Sequence, residues 1–149
     1  MSKAYDISMA FSARLVAIST DNGYQTNIGE HVFRGRLSIN VEDLPCTVIV
    51  EDPDSDEDVR GVEVLITRRY TFEGHDKCDP KQPNDKAHAI LADIKRAIFN
   101  GDQTYGGLFR PHKGPQYKGS GIGTREDGTA ICAASVSIEV SYVENLMNP

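Results

Sequence analysis

The sequence has no apolar run near the roughly twenty residues that a bilayer-crossing helix needs, so a helical membrane span is excluded. Its first residues lack the basic, apolar and small-residue segments of a secretory signal, and the expectation is a protein that is cytosolic when made. Cysteine is scarce. Cys46, Cys78 and Cys132 are odd in number and widely spaced, which argues against a disulfide framework and for reduced thiols. A basic excess is also missing, with 16 Lys and Arg against 22 Asp and Glu. Proteins that grip nucleic acid by neutralising phosphates need clustered cations, so the composition disfavours that class, and a net charge of −6 is read as serving solubility. Closeness to DNA without adhesion stays open.

The usual signatures of chemistry are short of parts as well. His75, Cys78, Asp79 and His88 are metal-ligating types, and Cys132 could supply a fourth ligand, yet no paired C-x-x-C or H-x-x-x-H element accompanies them. A histidine leaving a strand is more often a hydrogen-bonded turn residue. Asp52, Asp54 and Asp56, with Val59 and Glu63 further on, match several positions of a calcium-binding loop, but Glu57 stands where the sharp turn requires glycine and both flanks read as strands. A solvated acidic hairpin tip is the simpler reading. Gly119, Gly121 and Gly123 precede a strand rather than a helix and lack a phosphate-binding lysine, and Ser120 lies in Gly-Ser-Gly rather than a nucleophile elbow. No cofactor, metal or catalytic residue is assigned from these patterns.

What is present is a periodic framework for one domain, since 149 residues bury about two thirds of the surface that the unfolded chain exposes. The organising stretch is Ile66 to Phe99. Ile66, Tyr70 and Phe72 alternate with Thr67, Arg69 and Thr71 at the two-residue period of a strand expected to end at Gly74. A loop holding Pro80 and Pro83 follows, with Asn84 expected to cap a helix over 84–99. Ala87, Ile90, Leu91, Ile94, Ala97 and Ile98 share one face of that helix, Lys86, Asp93, Lys95 and Arg96 project elsewhere, and Gly101 stops it. An earlier helix is predicted from Tyr5 to Ile18, with Ile7, Ala10, Phe11, Arg14, Leu15 and Ile18 at helical spacing.

Between these, Tyr24 to Arg36 reads as an irregular connector anchored by Phe33. Leu37, Ile39 and Val41 make a short half-buried strand, and Cys46 to Val50 reads as a strand covered on both faces. Glu51 to Asp58 reads as a hairpin loop leading to Val62–Phe72. The last long strand spans Thr129 to Val143, with Val136, Ile138, Val140 and Tyr142 on one face. The stretch from Gly101 to Gly128 is rich in glycine and is expected to lack regular structure, but Tyr105, Leu108, Phe109, Tyr117 and Ile122 give it apolar surface to dock on something. The fold class implied is α+β, with a mixed, mainly antiparallel sheet of about four strands on two main helices.

Several stretches stand out when taken in order. They are the N-terminal helix, Gly23-Tyr24 with Val32-Phe33-Arg34-Gly35-Arg36, Leu44-Pro45 before a buried strand, Glu73-Gly74-His75, and Pro83-Asn84-Asp85 leading into Ala87-His88-Ala89-Ile90 and Asp93-Ile94-Lys95-Arg96-Ala97-Ile98-Phe99. Together they resemble the tail terminator or minor tail proteins of long-tailed (siphovirus-type) bacteriophages. The resemblance covers most of the chain and implies a single tail-terminator-like domain over 1–149. It further implies a structural virion protein at the head-proximal end of the tail, present in the host cytoplasm during assembly. Such a protein forms a hexameric ring that caps the tail tube, ends its polymerisation and offers a surface for head–tail joining. Implied partners are further copies of the chain, the tail tube protein and a head–tail connector; DNA passes through without specific binding, no membrane is involved, and neither a cofactor nor an enzymatic activity is implied. On that reading Tyr105, Leu108, Phe109, Tyr117 and Ile122 are expected at a subunit or tail interface, and Asp54, Asp56 and Asp58 on an acidic loop facing the channel. A neck or head-completion connector at the same junction is the alternative, and a metal-binding hydrolase-like domain a remote one.

Overall fold

Apolar residues recurring at three and four positions build the two helices, α1 (Lys3–Val16) and α2 (Pro83–Phe99). Ser2 caps α1, its hydroxyl accepting from the Tyr5 N–H at 3.3 Å. For α2 the cap position is Gln82, two residues earlier than the Asn84 cap expected, and Pro83 opens the helix, because a proline at the first turn sacrifices no intrahelical bond. The computed structural model describes residues 1–35, 38–53, 55–123 and 130–149, with the backbone alone for 55–57.

The described strands are β1 (His31–Arg34), β2 (Cys46–Glu51), β3 (Ser55–Arg60), β4 (Glu63–Lys77), β5 (Gln116–Ile122) and β6 (Ile131–Asn145). They form one mixed sheet in the order β1-β2-β4-β6-β5, parallel between β1 and β2 and antiparallel elsewhere, with β3 also pairing β4. The class is therefore α+β, as expected, with six strands among the described residues rather than about four. Its spine is the β4–β6 ladder, which pairs fifteen residues of each strand from Glu63↔Asn145 to Lys77↔Ile131.

The period of two along those strands sorts the side chains. Val64, Ile66, Tyr70 and Phe72 of β4 and Val136, Ile138, Val140 and Tyr142 of β6 are buried. They meet the apolar faces of the helices, and Phe11 of α1 sits edge-on to Tyr70, Phe72 and Tyr105 with ring centroids 5.0, 5.3 and 5.1 Å away. On the other face of the sheet hydroxyls pair across the ladder, Thr67 with Ser141 at 3.0 Å and Thr71 with Ser137 at 3.1 Å. All six residues expected on the apolar face of α2 are buried. In β2, Cys46, Thr47, Val48 and Ile49 are buried together, as a strand covered on both faces requires.

Several expectations are corrected. β4 runs through Gly74 to Lys77 instead of ending there. A Cβ at Gly74 would lie 2.3 Å from Ile90 Cγ2, so that glycine lets α2 approach the sheet and is not a terminator. Asp93 does not project outward: it is 2% exposed and accepts from the N–H groups of Gln25 and Thr26 and from Thr26 Oγ1. The connector over 24–36 contains β1, because β2 offers an edge for parallel pairing, and its deepest anchors are Thr26 and Ile28, with Phe33 only half buried. Val41 lies in a 3₁₀ turn with Glu42 and Asp43 instead of a strand; Leu37 lies outside the described residues. The segment read as an acidic hairpin loop holds β3, and the turn into β4 falls at Gly61-Val62. Part of the glycine-rich stretch is β5, and residues 101–115 form a turn-rich loop whose aromatic residues reach the core.

Candidate interaction surface

Glycine and lysine in Gln116–Ile122 give β5 little intrinsic preference for a strand, and it forms because β6 presents an edge over Ala134–Glu139. β5 ends the sheet, so its outer edge has no strand partner among the described residues, and its side chains are mostly exposed. Tyr117 is 50% and Ile122 39% exposed. Tyr117 leans toward α2, its ring 6.4 Å from that of Phe99 and 5.4 Å from Lys95 Nζ, and its hydroxyl donates to Ser120 Oγ at 3.0 Å. Lys95, Arg96, Phe99 and Asn100 complete a shallow groove of about 700 Å³ beside it.

The other three residues expected at an interface lie elsewhere. Tyr105 and Phe109 are 8% and 3% exposed and belong to the core, and Leu108 is half-buried against it. The Tyr105 hydroxyl donates to the Ile98 carbonyl at 2.7 Å, and burial pushes its ionisation well above the usual tyrosine range. Arg14 of α1 lies 4.1 Å from the Tyr105 ring centroid and donates to the carbonyls of Ala97, Asn100 and Asp102. Arg14 at Ala97 and Tyr105 at Ile98 thus satisfy two of the orphan carbonyls that end α2. The loop is tied down by this pair, which spacing alone showed only as an arginine on an apolar helix face.

Of the acidic residues expected to face a channel, Asp54 lies outside the described residues and the side chain of Asp56 is not described. Asp58 is exposed on β3 and pairs with Arg60 at 3.2 Å. The metal-ligating types do not gather. His75 Nε2 faces Glu73 at 3.5 Å, and His88 is exposed on α2. Cys78, one residue past β4, does adjoin Cys132 of β6, and burial and the neighbouring Cys78 thiol push the Cys132 thiol up to about 12. No group of three or more His, Cys, Asp or Glu among the described residues is placed to hold a metal ion.

A second apolar patch was not foreseen. At the end of the β4–β6 ribbon, Val62 is 45% exposed, and Leu146 and Met147 are 55% and 80% exposed. The Leu146 N–H donates to the Val62 carbonyl at 2.8 Å, which draws the segments together. The signal was faint because these residues come from two stretches more than eighty positions apart, each too short to show a period. Clustered apolar exposure of this kind marks contact surfaces.

No protein-family model matches this chain, and no curated protein matches it.

Proposed function

We propose that this chain is a structural virion protein of a long-tailed bacteriophage, a tail terminator that closes as a ring on the finished tail tube, stops further polymerisation and offers the joining surface for the head connector. The resemblance of its ordered segments supports this reading. The single structural observation that carries it is the presence of two separate exposed apolar surfaces, one on β5 at Tyr117 and Ile122 and one at the ribbon tip around Val62 and Met147. Two unlike patches on one chain are what a head-to-tail contact between identical copies needs, and a closed ring is the finite outcome of such a contact. Burial of Tyr105 and Phe109 narrows the proposed interface to Tyr117, Ile122 and the tip. The acidic stretch holding Asp54, Asp56 and Asp58 is proposed to face the lumen, where its charge would repel DNA phosphates. On this reading the protein turns over no substrate.

The test is genetic and structural together. Phage lacking the protein are expected to make tails of abnormal length that fail to join heads, and wild-type protein supplied in trans is expected to restore both. Tails of normal length that still join heads in its absence would end this reading, and accumulation of finished tails beside heads lacking a neck would move the protein to the head side of the junction.

A further inference from the structure

Lys3, Arg110, His112 and Lys113 line one cleft of about 620 Å³ together with Gln116 and Ser141. They come from separate parts of the chain: Lys3 opens α1, the next three belong to the loop before β5, and the last two sit on β5 and β6. Among the described residues no Asp or Glu lines this cleft, in a chain with more carboxylates than cations. Arg110, His112 and Lys113 are exposed and form no ion pair among the described residues. Lys3 Nζ donates to the Val143 carbonyl at 3.3 Å, which leaves further ammonium donors for a ligand.

The loop is shaped to present these groups. The Lys113 N–H donates to the Arg110 carbonyl at 2.9 Å, closing a tight turn, and His112 between them has φ of +61°. A left-handed conformation at a residue other than glycine carries a cost and clusters at binding and active sites. Gathering cations without counter-charge also costs energy, which an anion in the cleft removes. Leu65 and Leu108 line the same cleft, so one part of a ligand would meet charge and another apolar surface.

We propose that this cleft binds a phosphate monoester of about mononucleotide size. A phosphate offers terminal oxygens to the planar fork of Arg110 and to the ammonium groups of Lys3 and Lys113. The volume falls within the range of roughly 300 to 1,000 Å³ typical of small-molecule sites, larger than a bare phosphate requires, which leaves room for an organic body against the leucines. The proposal does not depend on ring formation.

Isothermal titration of the full chain with adenosine monophosphate, adenosine, inorganic phosphate and a short DNA duplex tests it. Adenosine monophosphate is expected to bind at millimolar affinity or better, inorganic phosphate more weakly, and adenosine not at all. The double variant Arg110→Ala with Lys113→Ala is expected to lose about tenfold or more in affinity, and Arg110→Lys to fall between, since it keeps the charge but not the fork. Both sites are exposed, and circular dichroism establishes that the variants are folded; R110K, which changes least, is the second reading should the double variant unfold. Equal binding of adenosine and its monophosphate, affinity unchanged in the double variant, no binding at millimolar concentration, or binding of the duplex alone would each overturn the proposal.

Discussion

Asp93 illustrates how one side chain can hold a loop that has no regular structure of its own. Its carboxylate receives the Thr26 N–H and Thr26 Oγ1, each at 2.7 Å, and the Gln25 N–H at 3.1 Å, while only 2% exposed. An amide in its place turns an NH₂ toward these donors or leaves one of them unpaired. Asp93→Asn is therefore expected to lower the urea midpoint by a loss of about 1–3 kcal/mol, and an unchanged midpoint would mean that water replaces the carboxylate. Cys132 supplies a pH dependence. Burial, helped by the adjoining Cys78 thiol, raises its ionisation from the ordinary 9.0 to about 12. The protonated thiol is thus favoured in the folded state, so this contribution to stability is complete below pH 9 and is lost as the pH rises toward 12. Urea unfolding over that interval should show a shallower alkaline decline for Cys132→Ala than for the parent. A parallel decline would remove Cys132 as the cause.

At the scale of elements, the packing of α2 on the sheet turns on Gly74. With Ile90 Cγ2 only 2.3 Å from where a Cβ would stand, Gly74→Ala must push the helix away or force Ile90 off its rotamer, at about 1–3 kcal/mol. Ile90→Ala removes the clashing methyl, so the two substitutions together are expected to cost less than the sum of their separate costs in a denaturation cycle. Simple additivity would show that the strain is absorbed elsewhere. The same contact explains what could be read in advance. Both helices and β6 carry long apolar periods, and those elements stand close to where the spacing put them. Gly74 looked like a stop because glycine in a strand has the same signature whether it ends pairing or admits a neighbour. β3 and β5 were hidden because their residues have little strand preference, β1 because four residues are too few to show a period, and each forms only where a longer strand offers an edge. Asp93 misled because its polar type is common on solvent faces and its partners lie 67 and 68 positions away. Of the surface, Tyr117 and Ile122 were legible as apolar residues in a polar stretch, whereas the tip patch needed the ladder to assemble it.

For the molecule as a whole, the two exposed apolar surfaces make a prediction separate from folding. Val62→Asp at the tip and Tyr117→Asp on β5 alter positions about half exposed and are expected to leave the chain folded, Tyr117→Asp at a cost of about 1 kcal/mol for its lost contacts with Phe99 and Lys95. If copies meet head to tail, each variant alone should fail to form closed assemblies, and mixing the two should give only pairs, because each mixed contact joins the one sound tip to the one sound edge. Sedimentation of the mixture reads this directly; assemblies of parental size from either variant would discard both patches as contacts.

The β4–β6 ribbon has one further consequence. Alternate pairs among its fifteen carry the hydrogen bonds that join the strands, the helices lie over only part of the ladder, and the outermost residues Glu63 and Asn145 are exposed. Opening free energy in such a ladder grades from near zero at a bare terminus to the global value under the core. Deuterium should therefore enter the amides of Val64 and Glu144, a bonded pair near that end, long before those of Tyr70 and Ile138, so that the strands open from the end while the helix-covered stretch stays closed.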